Sequence, residues 1–172
     1  NNNIKEPKII SDSLITSLYL VSYTSAKPYL ATGFISALPD AEIQNRFLIS
    51  NKLFNVSSEI LDSRFKQMLP FDCSEDKCFK DSRINFDKSM WYLASGSWHK
   101  FKFKNEPDKV LEEYSNMSFE WEQTGSDFVY YGPLEKQFSN VDMQKDKSLN
   151  IVFKNPLAEI YQVVKDENKS LD

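Results

Sequence analysis

The chain has 172 residues, 41% hydrophobic and 27% charged, which is the usage of an ordinary globular domain with one core. Four glycines are too few and too scattered for a dinucleotide fingerprint, a phosphate loop or a nucleophile elbow, and a single histidine excludes the familiar catalytic zinc sites. A net charge of -4, with acids and bases interleaved, lacks the basic footprint that nucleic-acid binders need to neutralise phosphates.

The first residues, Asn1-Asn2-Asn3, are polar and start without methionine. They predict a flexible tether over residues 1–10, behind a cleaved signal or a lipid anchor upstream of Asn1. A single globular domain is expected over 11–166, with a polar tail over 167–172. Leu14 to Thr24 is rich in Leu, Ile, Val and Tyr and reads as a strand, closed by the turn-like Ser25-Ala26-Lys27-Pro28. Tyr29 to Leu38 reads as a second strand and Phe47-Leu48-Ile49 as a short buried third. Residues 57–69 predict a helix, with Ser57 as N-cap, Val56 and Leu61 placed for a hydrophobic staple, and Pro70 as the stop.

Cys73 and Cys78 are the only cysteines and enclose four polar or charged residues in a loop. Buried structural thiols sit in apolar runs, so this pair predicts a disulfide and with it an oxidising compartment: periplasm, outer envelope or cell exterior. No stretch approaches the ~18 apolar residues of a membrane helix. Asp72, Ser74, Asp76 and Asp81 echo a calcium loop, but Lys77 and Arg83 stand where its glycine and glutamate belong. No metal or other cofactor is expected.

Trp91 to Lys104 alternates as a strand, with Phe101 and Phe103 on one face and Trp98, Lys100 and Lys102 on the other. An outward ring beside cations is a common interface composition, so Trp98, Lys100 and Lys102 are the candidate binding residues for a protein partner. His99 shares a face with Ser95 and Ser97, but strand neighbours at i and i+2 stand ~6.5–7 Å apart, too far for a nucleophile–base hydrogen bond. A short helix of about ten residues is expected over 106–115, with Val110, Leu111 and Tyr114 as its apolar face. Ser118 to Gln123 and Asp127 to Tyr131 flank Thr124-Gly125-Ser126 as a hairpin, with Glu120 and Glu122 on its outer face. Leu149, Ile151 and Phe153 mark another strand, and Ala158 to Val164 a last strand or short helix. The fold expected is α+β and β-rich, an antiparallel barrel-like sheet or sandwich of about seven or eight strands with two helices.

Ala31-Thr32-Gly33-Phe34-Ile35, followed by Phe47-Leu48-Ile49-Ser50-Asn51-Lys52, resembles the first barrel of bacterial trypsin-like proteases. Leu53 stands where that family carries its catalytic histidine, and no Gly-x-Ser-Gly motif occurs, so the resemblance implies a barrel without catalysis. The function expected is a non-enzymatic exported binding protein, such as an envelope lipoprotein, an inhibitor or an immunity-type protein. The alternatives are a hydrolase using carboxylates or His99, a catalytically dead trypsin-like protease barrel, and a small-ligand carrier with an apolar barrel interior.

Overall fold

A computed structural model describes residues 6–30, 38–62, 107–139 and 141–165. Ser11-Asp12-Ser13 follows the apolar pair Ile9-Ile10 and supplies a helix start. Ser13 takes extended backbone and its hydroxyl accepts a hydrogen bond from the Thr16 amide at 3.3 Å. The chain therefore passes from a strand β1 (Lys8–Ile10) directly into a helix α1 (Leu14–Tyr23) and returns to a two-residue strand β2 (Lys27–Pro28). Helix α2 (Asp40–Leu53) follows, then a helical stretch α3 that begins at 58, and α4 (Pro107–Asn116). Strands β3 (Phe128–Tyr131), β4 (Leu149–Lys154) and β5 (Glu159–Val163) complete the described chain.

The strands form one open mixed sheet in the order β2-β1-β3-β5-β4. Here β1 runs parallel to both β2 and β3, with Ile9 opposite Phe128 and Ile10 opposite Val129. The other pairings, β3 with β5 and β5 with β4, are antiparallel. An irregularity between Ile151 and Phe153 leaves Val152 as the extra residue of a bulge in β4.

Among the described residues, a sheet of five strands, not closed, with four helices, replaces the expected barrel or sandwich. Two segments account for most of the difference. Leu14 to Thr24 is helical because Ser13 caps it, although its β-branched and aromatic content suits a strand equally well. Phe47-Leu48-Ile49 lies inside α2, and all three residues are buried. Phe47 and Leu48 join a helical core with Leu30, Ile43, Leu61, Val110 and Tyr114, whereas Ile49 joins the core under the sheet. A helix packed on both sides loses the one-faced apolar stripe that identifies helices in sequence.

The same observation removes the resemblance to trypsin-like proteases, since residues 47–52 are helical and no barrel is formed by the described sheet. The hairpin at 118–131 is half present. Its first arm is a 3-10 turn, Trp121–Thr124, capped by the Glu120 side chain, and only its second arm is a strand. Lys8–Ile10, within the stretch expected to be a tether, form the strand between β2 and β3. Ser57 caps α3 as anticipated, its hydroxyl accepting from the Ile60 amide at 3.3 Å, but Val56 and Leu61 fall in different cores. Helix α4 starts on Pro107 with Asp108 in its first turn, and Val110 and Tyr114 are buried.

The sheet core closes on Phe54, whose ring meets Trp121 edge-on at 5.3 Å and Tyr131 at 6.1 Å. Gly125 ends the 3-10 turn in the left-handed region, at φ 61°. A Cβ there would meet only Lys8 Nζ at 3.7 Å, so the obstacle to a side chain is the backbone conformation rather than space. Gly125→Ala is expected to lower stability by about 1–2 kcal/mol in urea melts.

Asp127 ties the two ends of the described chain together. Its carboxylate accepts from the Lys8 amide at 2.9 Å and from Lys165 Nζ at 2.6 Å. Burial alone would raise its pKa, but the Lys165 and Lys8 hydrogen bonds and charges outweigh burial and hold it below the ordinary aspartate value. A depressed native pKa means that the interaction stabilises fully above the unfolded value and is lost as the pH falls. Stability is therefore expected to decline below about pH 4, and Asp127→Asn should flatten that decline in acid titrations followed by circular dichroism.

Candidate functional site

In open sheets with parallel strands, ligands bind beyond the carboxyl ends, where neighbouring strands send their chains in different directions. Such a place exists between β1 and β3. The chain leaving β1 turns into α1 and then to β2 on one side. The chain leaving β3, on the other side of β1, turns through Gly132-Pro133-Leu134 into a 3-10 turn, Glu135–Gln137.

Glu135 joins the two exits. It is fully buried, and its Oε1 accepts from the hydroxyls of Ser11 at 2.7 Å and Thr16 at 2.6 Å. Its Oε2 accepts from the Gly132 amide at 3.0 Å. Asp12, Ser13 and Ser17 are buried in the same turn, and Ser11 Oγ accepts from the Ser13 amide at 3.0 Å. No lysine or arginine is recorded against Glu135 among the described residues, which is unusual for a buried carboxylate.

Above this polar floor lies a groove of about 420 Å³. Tyr19, Leu20 and Tyr23 of α1 form one wall, and Tyr130, Pro133 and Leu134 form the other, with Thr16 and Glu135 beneath. Tyr19 and Tyr23 stack at 6.0 Å, are 57% and 80% exposed, and contribute nothing to either core. The Tyr130 phenol is held above its usual pKa by burial first and by the negative charge of Glu135 second. Gly132 fits under the Tyr130 ring, where a Cβ would come within 2.5 Å of Cε1, so only glycine leaves this wall undisturbed.

No family model matches the chain, and no curated protein or solved structure matches it.

The residues singled out from sequence are distributed differently. Cys73, Cys78, Trp98, His99, Lys100 and Lys102 lie outside the described residues. Trp121 is a core residue whose indole N–H donates to Asp146 Oδ2 at 2.8 Å. Glu120 and Glu122 belong to the 3-10 turn, not to a strand face. None of Ser11, Thr16, Tyr19, Tyr23 and Glu135 stands out in the sequence as chemistry. The one local signal was Ser11-Asp12-Ser13 after two isoleucines, a helix-start pattern that places hydroxyls at a strand's carboxyl end. Among the described residues no helix is long and apolar enough to cross a membrane, and no cluster of three or more His, Cys, Asp or Glu could hold a metal ion.

Proposed function

We propose that this chain is a non-enzymatic binding domain that works outside the cytoplasm and holds a small, largely apolar ligand in the groove between α1 and the turn after β3. The observation that carries the reading is the exposed tyrosine wall. Tyr19 and Tyr23 are large rings left in water beside a concavity at the carboxyl ends of two parallel strands, and exposed apolar area gathered at a concavity marks binding sites. Glu135 supports binding over catalysis, because all three of its donors come from the protein itself and it is fully buried.

Titrating the protein with a mixture of small aromatic and branched aliphatic compounds, followed by NMR, tests the reading. The resonances of Tyr19, Tyr23 and Tyr130 should shift together and saturate. Shifts confined to other residues, or none at all, would remove the proposal. The extracytoplasmic location is supported by Cys73 and Cys78; uptake of two alkyl groups by the denatured, unreduced protein would count against it.

A protein partner is favoured by a second observation, the strand β4, which lies at an edge of the sheet among the described residues. Ile151, Val152 and Phe153 are about half exposed there, and Leu157 of the following turn is 67% exposed. An apolar edge of this kind can accept a strand from another protein. Val152→Lys should then abolish partner capture and leave the melting temperature unchanged, whereas capture undiminished by it would exclude this edge.

A further inference from the structure

We propose that the ligand of this groove is a small alkylated ammonium ion, held among the Tyr19, Tyr23 and Tyr130 rings with its charge toward Glu135. The inference rests on the groove being a ligand site and specifies the chemistry it selects.

Two observations point the same way. The first is the nature of the walls. Three of the groove's side chains are phenols, and the electron-rich faces of aromatic rings attract cations whose hydration is weak, which is the property of an alkylated ammonium. The second is the charge of the lining. Glu135 is the one ionisable acid or base among the lining residues apart from the tyrosines, and its recorded partners are two hydroxyls and an amide, none of which carries a positive charge. In a partly dry groove a carboxylate without a counter-ion favours a cation over a neutral molecule of the same shape.

A carboxylate ligand would be repelled by Glu135 and by the electron-rich ring faces. A primary ammonium would keep its hydration shell, and Glu135 is too deeply buried to replace that shell with direct hydrogen bonds. Alkylation removes the donors that would otherwise be lost, and it adds apolar surface for Leu20, Pro133 and Leu134 to cover.

The test uses choline as the cation and 3,3-dimethylbutan-1-ol, its uncharged carbon analogue, as the control, titrated into the whole chain at low salt and followed by NMR and calorimetry. Choline should shift Tyr19, Tyr23 and Tyr130 together and bind at least about tenfold more tightly than the alcohol. Glu135→Gln should narrow that preference. Tyr23→Leu, at an exposed position where folding is not at stake, should narrow it too. Equal affinities for choline and the alcohol would overturn the ammonium inference and leave the groove a ligand site. Choline shifts located elsewhere, or no choline binding while apolar compounds still move the three tyrosines, would overturn it as well. If no compound of any kind moves those tyrosines, the site itself has failed.

Discussion

Replacing Phe54 by alanine is expected to lower folding stability by about 3–5 kcal/mol, the range for emptying a large aromatic site in a packed core. Phe54 is completely buried where the end of α2 meets the sheet, against the rings of Trp121 and Tyr131. Neither ring can collapse freely into the space. Trp121 is held by its bond to Asp146, and the Phe54 carbonyl accepts the Ser139 hydroxyl at 2.6 Å, which fixes the neighbouring backbone. Urea unfolding should show a lower midpoint with an unchanged slope. A loss below about 1 kcal/mol would mean that the ring is not packed as described.

Glu135→Ala is expected to cost about 2–4 kcal/mol, because it strips the acceptor from three buried donors at once. The Ser11 and Thr16 hydroxyls can rotate toward other acceptors, but the Gly132 amide points in a fixed direction and would be left buried and unpaired. Glu135→Gln should cost much less. With the amide oxygen turned toward Gly132, its NH2 group faces two hydroxyls, and a hydroxyl accepts as readily as it donates. The contrast between the two variants, measured side by side in urea, separates loss of an acceptor from loss of charge. Equal losses would show that the hydroxyls cannot reverse.

What the sequence made legible follows from how local each signal is. Helix α4 was readable because Pro107, Asp108 and the spacing of Val110, Leu111 and Tyr114 all lie within ten residues. Strands β4 and β5 were visible as short apolar runs bounded by Asn155-Pro156. Helix α2 was not, because Phe47, Leu48 and Ile49 serve two cores and so carry no single periodicity. Helix α1 turned on one capping serine set against ten residues of strand-like composition. Strand β1 was hidden in a different way. It has three residues, and what makes it a strand is pairing with Phe128 and Val129, far along the chain. The groove inherits that difficulty, since Glu135 meets Ser11 and Thr16 only once β1 and β3 lie side by side. No local pattern announces such a meeting.

That pairing of distant segments also dictates when the protein can acquire its structure during synthesis. Among the described strands, β1 has the two residues of β2 close to it in sequence, and its other side is covered only once residues 128–131 have been made. Three of the five described strands follow residue 127, so the described sheet cannot form before they are made. Assembly of that sheet requires closure of the long loop between β1 and β3. Until residues 128–131 arrive, β1 lacks its described partner on that side.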